Sequence, residues 1–160
     1  MEGKLNKAIE LRKGKQYKES NAILLELVVK YPDNPFVNYQ CAWSFDLLGE
    51  EAEAVPFYEK AIELGLPEKE LEGAIIGLGS TYRALGNYEK SESTFLKGLQ
   101  RFPENRALQT FYSMTLYNLK QHSRAMELLL QCLVETTTDK NIVSYERAIN
   151  FYLDKLDETW

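Results

Sequence analysis

The stretch Gly77-Leu78-Gly79-Ser80-Thr81-Tyr82-Arg83-Ala84-Leu85-Gly86-Asn87-Tyr88, followed by Phe95 and Pro103, decides the fold. It reads as a helical run, a Gly-Asn-Tyr turn, and a second helical run stopped by proline. Glycine permits the positive φ that ends the first helix, and proline prevents the second from continuing. Working outward, the punctuation recurs: Leu48-Gly49-Glu50-Glu51 and Leu119-Lys120-Gln121-His122 resemble Leu85-Gly86-Asn87-Tyr88, and Gly14-Lys15-Gln16-Tyr17 precedes them. Three residues after each turn comes a small residue (Ser20, Ala54, Ser91, Ala125), then a large apolar one (Leu24, Tyr58, Phe95, Leu129). Leu27, Ala61, Gly98 and Cys132 follow one turn beyond. The first repeat closes on Tyr31-Pro32-Asp33-Asn34-Pro35, the second on Gly65-Leu66-Pro67 and the third on Phe102-Pro103-Glu104-Asn105. Tyr17, Glu51, Tyr88 and His122 stand 34, 37 and 34 residues apart, the period of a helix–turn–helix array.

Composition bounds the rest. The chain has 160 residues, 44% hydrophobic, with net charge −5, the size of one ordinary domain that folds without metal or disulfide. A sequence pI near 5.1 lacks the basic footprint of a nucleic-acid binder, so no nucleic-acid partner is expected. No apolar run reaches the roughly 18–20 residues of a membrane span, and no signal peptide is visible at Met1-Glu2-Gly3-Lys4-Leu5. Two cysteines, Cys41 and Cys132, sit inside apolar helical patterns, so a cytoplasmic protein with reduced thiols is the expected setting. One surplus stands out: ten Tyr, seven Phe and two Trp.

At these positions the chain resembles the tetratricopeptide repeat (TPR) superfamily. The third repeat matches best, through Leu78-Gly79, Tyr82, Gly86-Asn87-Tyr88, Phe95 and Pro103, with Ser91 and Gly98 where alanine is usual. The second keeps Ala42, Phe45, Gly49, Ala54, Tyr58 and Ala61 but carries Glu51 at the aromatic place. The fourth keeps Tyr112, Leu116 and Ala125 and replaces the turn glycine with Lys120. The phrase from Gly77 to Gly86 also looks like a group of short bacterial TPR proteins. The resemblance implies an all-α right-handed superhelix of four helix pairs, over about 1–34, 35–71, 72–105 and 106–138 of a single domain. A last helix over 139–158, capped by Asp139 and amphipathic through Ile142, Tyr145, Ile149, Tyr152, Leu153 and Leu156, is expected to shield the end of the array.

Catalytic chemistry finds little support. His122 takes the turn place of Tyr17 and Tyr88, which reads as packing, and without a second histidine no metal site or cofactor is expected. Cys41 and Cys132 fall at interhelical packing places, where a thiol behaves as a small hydrophobe. Gly73, Gly77 and Gly79 precede no Gly-Lys-Ser/Thr, so a phosphate loop is not indicated; Gly73 and Gly77 lie on one helical face and allow close contact. An enzyme is not expected.

The aromatic surplus points elsewhere. In the superhelix that the resemblance implies, the first helix of each pair lines a concave groove. Its places here hold Phe36, Tyr39, Trp43 and Leu47 from the second repeat, Ile76, Ser80 and Arg83 from the third, and Thr110, Met114 and Tyr117 from the fourth. Arg12, Lys13 and Asp46 are read as the rim. Phe36, Tyr39, Trp43 and Leu47 step by three or four and form one stripe. TPR proteins often hold acidic tails in a carboxylate clamp, but Leu5, Ile9, Tyr39 and Ile76 occupy clamp-like places here, so that specificity is not expected. The stripe reads as a surface for a protein or peptide partner. Alternatively, Trp43 packs between helices, or a homodimer fills the groove with another chain's terminal helix. A self-assembling structural protein and a peptide-sensing regulatory subunit are the competing functions.

Overall fold

Helices begin where the turn punctuation put them. The computed structural model describes residues 1–160, all helix, turn and loop without a strand. The chain divides into two units, Met1–Asn87 and Tyr88–Trp160. In the first, α1 (Glu2–Lys13) pairs with α2 (Tyr17–Lys30), α3 (Pro35–Asp46) with α4 (Glu51–Leu64), and α5 (Glu68–Ala84) follows. The second contains α6 (Tyr88–Arg101), α7 (Arg106–Asn118), α8 (His122–Thr136), α9 (Lys140–Val143) and α10 (Glu146–Tyr152). Tyr17, Glu51, Tyr88 and His122, the markers of the period, are each the first residue of an even-numbered helix. No helix is long and apolar enough to cross a membrane.

Each of the four turns places the residue two before the new helix in the left-handed region: Lys15 at φ 61°, Gly49 at 73°, Gly86 at 77° and Lys120 at 63°. Two turns thus meet the conformation with glycine and two with lysine, for which it is strained. The proline-containing ends share a second device. Asn34 caps α3 through the Val37 N–H (2.9 Å), and Asn105 caps α7 through the Leu108 N–H (2.9 Å). Four residues on, the amides of Asn38 and Gln109 donate back to the carbonyls of Pro32 (2.9 Å) and Pro103 (2.8 Å).

Small residues let the paired helices approach, with Ala8, Ala42, Ala54, Ala61 and Ala74 wholly buried. Serine replaces alanine only where its hydroxyl has a partner: Ser20 donates to the Ala8 carbonyl (2.8 Å), and Ser91 shares a bond with Thr115 (2.8 Å). Larger rings fill the space between, Phe45 stacking on Phe57 at 5.6 Å and Phe95 lying 6.3 Å from Tyr112. One free cysteine is buried in each unit: Cys41 in α3, whose thiol burial pushes up to about 12, and Cys132 in α8, raised by the same cause.

The end of the chain departs from expectation. Instead of one helix over 139–158, the chain makes α9 and α10 with Ser144 and Tyr145 between them. Asp139 does cap α9, accepting from the N–H groups of Asn141 (2.9 Å) and Ile142 (3.2 Å). After one turn the Ser144 hydroxyl takes the Asn141 carbonyl (2.8 Å). The Tyr145 N–H then bonds Ile142 (2.9 Å) rather than continuing the α-helical ladder. Tyr145 and Tyr152, expected to pack inward, are exposed.

Candidate partner-binding site

The stripe on α3 is built around Tyr39. Its ring lies 6.4 Å from Phe36 in an edge contact, 6.1 Å from Trp43 in a stack, and 6.2 Å from Tyr58 of α4. Such geometries add about 0.5–1.5 kcal/mol per pair beyond area burial. From α1, Arg12 sets its guanidinium carbon 3.8 Å above the Trp43 ring. Trp43 is therefore held between a cation and a phenol, yet remains 39% exposed. Half-burial lowers the pKa of Arg12 while leaving the group charged, and Arg12 Nη1 is buried without a hydrogen-bond partner.

From α5, two glycines make slots for tyrosines. A Cβ on Gly73 would overlap the Tyr39 hydroxyl, and one on Gly77 would overlap the Tyr58 ring. The close approach expected of Gly73 and Gly77 is thus a ring-on-backbone contact. The Tyr58 hydroxyl donates to Asp46 (2.5 Å), and Thr81 donates to the other oxygen of the same carboxylate (3.0 Å). Desolvation raises the pKa of Asp46, and the two donors only partly oppose it. Burial and the adjacent Asp46 charge raise that of Tyr58, and burial raises that of Tyr39 against the opposing pull of Arg12. Asp46 is accordingly half-buried and committed to Tyr58 and Thr81, where a free rim charge was expected.

The remaining site residues disperse. Ile76, Ser80 and Arg83 continue the α5 stripe that starts at Gly73 and are half-buried; Leu47 is exposed at the end of α3. Lys13 points to solvent and pairs with Glu10 (2.7 Å). Thr110, Met114 and Tyr117 lie on α7 of the other unit. There Thr110 bonds the Arg106 carbonyl (2.7 Å), Met114 is exposed, and Tyr117 contacts the His122 ring at 4.8 Å. The structure therefore brings together Arg12, Phe36, Tyr39 and Trp43. Sequence reasoning did not find the partners of Asp46. The available signal was an acid on an otherwise apolar stripe, since a desolvated carboxylate demands donors.

Comparisons with known proteins agree with this architecture. A family model described as Tetratrico peptide repeat matches residues 35–156, more than half the chain. No curated protein matches. Among solved structures, one titled "MamA RS-1 ArsTM double mutant" is similar, with a TM-score of 0.70 and 12% identity, covering 96% of this chain and 93% of that one. At that identity the likeness concerns the fold. Through its repeats and the family model that matches residues 35–156, the chain belongs to the tetratricopeptide repeat family.

Proposed function

We propose that this chain is a non-catalytic interaction module whose N-terminal unit takes a peptide or helix of another protein on the Arg12, Phe36, Tyr39 and Trp43 face. The repeat family and the fold support a protein-interaction scaffold. The observation that carries the finer reading is Trp43, stacked by Tyr39 and Arg12 but 39% exposed. Rings fixed by neighbours lose little conformational freedom when a partner covers them. Trp, Tyr and Arg are also the residues whose truncation most often costs 2 kcal/mol or more at an interface. Binding would desolvate the stripe, while Arg12 Nη1, which has no hydrogen-bond partner within the chain, donates to an oxygen of the partner and sets its direction. Leu47, Ile76, Ser80 and Arg83 border this face, with Lys13 at its edge; on the other unit, Met114 and Tyr117 beside Thr110 offer anchors of their own.

The test is an affinity pull-down from the native cell with wild-type chain and with Trp43→Ala/Tyr39→Ala. The expected result is a specific partner held by the wild type and lost by the double variant, with helical circular dichroism retained. Equal capture by both folded proteins would remove the groove reading.

A further inference from the structure

The C-terminal unit carries a second exposed aromatic face. On α8, Met126, Leu129 and Leu133 lie one turn apart and are exposed. On the segment that packs against α8, Tyr145 is 65%, Phe151 52% and Tyr152 49% exposed, and Leu156 and Trp160 are exposed too. These rings gather on one another rather than into the core: Phe151 meets Tyr152 edge-on at 5.1 Å, and Trp160 stacks over Phe151 at 6.1 Å. The segment is held to α8 where Ser123 donates to Asp157. The cluster is thus ordered and open to solvent.

We propose that this face docks against the same face of a second copy of the chain. At about 80–100 Å² for each half-exposed large side chain, the patch approaches 700 Å². That exceeds the roughly 300–600 Å² of the largest patch on a typical monomer. It also approaches the ~800 Å² per partner that a stable interface removes. Charge selects the occupant. Lys140, Arg147 and Lys155 alternate with Asp139, Glu146, Asp154, Asp157 and Glu158, so the segment carries both signs and can complement itself across a twofold axis. Acids outnumber bases there, which repels an anionic bilayer. Gly3, Lys4, Asn6, Lys7 and Glu10 of α1 are exposed and polar, so that helix offers no apolar counterpart for head-to-tail stacking.

Light scattering on the full chain between about 1 and 100 μM tests the proposal. The expected mass is twice the 18.5 kDa of one chain. Tyr145→Glu/Phe151→Glu should weaken dimerisation at least tenfold with helicity unchanged. Leu129→Glu/Leu133→Glu should do the same from α8, in case the first pair disturbs α10. Trp43→Ala should leave the dimer intact, separating this face from the N-terminal one. A monomer throughout, a dimer that survives both Glu pairs, or a dimer lost only with Trp43→Ala would overturn the proposal. So would a monomer that co-sediments with phosphatidylserine vesicles.

Discussion

Replacing Gly77 with alanine tests the packing that supports the α3 stripe. In a typical mid-helix site this change gains roughly 1 kcal/mol, because glycine loses more backbone freedom on folding. Here the new Cβ would meet the Tyr58 ring, with Cε1 at 2.7 Å. Tyr58 is 2% exposed, and Asp46 holds its hydroxyl at 2.5 Å, so the ring cannot move aside without surrendering that bond. Overpacking costs about 1–3 kcal/mol, and a hydrogen bond to a charged group contributes about 1.5–3 kcal/mol. The net expectation is a destabilisation of about 1–3 kcal/mol, lowering Tm by about 2–4 °C per kcal/mol. Gly73→Ala is the contrast, since its Cβ meets only the terminal hydroxyl region of half-buried Tyr39, which can swing outward. That variant should match the wild type or exceed it by up to about 1 kcal/mol. Urea and thermal melts followed by circular dichroism give both values. Pairing Gly77→Ala with Tyr58→Leu should show a coupling above about 1 kcal/mol. If Gly77→Ala proved as stable as Gly73→Ala, the argument for a filled, pinned slot would be refuted.

Three further outcomes are expected. Lys15→Gly and Lys120→Gly should each stabilise the chain by about 0.5–1 kcal/mol, because both lysines sit at positive φ; unchanged urea midpoints would contradict this. Asp46 binds its proton more tightly folded than unfolded, so its contribution to stability falls as pH rises from 3.8 through the raised folded-state pKa. Asp46→Asn should therefore gain on the wild type across that window in parallel urea titrations, and a constant offset would count against it. Arg12→Ala should uncover Trp43, at a cost of about 0.5–2 kcal/mol, and red-shift its fluorescence in a Trp160→Phe background; an unmoved spectrum would mean that the cation does not shield the ring.

The repeat was legible because its signals are local. Turn residues, small packing residues and closing prolines each act within a few positions, so Tyr17, Glu51, Tyr88 and His122 marked helix starts correctly. Lys15 and Lys120 show that the turn's conformation follows position rather than residue type. The α3 stripe was legible through its spacing. What it touches was not, because Arg12, Thr81 and Gly73 arrive from helices far along the chain. Asp46 was read as a rim charge since nothing near it in sequence announces Tyr58 and Thr81 as donors. The C-terminal segment misled for the opposite reason. Its apolar period was real, but the α-helical ladder stops at Ser144 and Tyr145, where the Tyr145 N–H turns back to the Ile142 carbonyl and α10 starts afresh.

The two buried thiols have a practical consequence. A thiol reacts as its thiolate, and burial denies Cys41 both ionisation and access, so alkylation waits for the protein to open around it. Cys132 is protected in the same way in the other unit. The natural sequence therefore carries one chemical clock in each unit. Timed alkylation with mass spectrometry would date the opening of each without any engineered label, and would tell whether the two halves breathe together or apart.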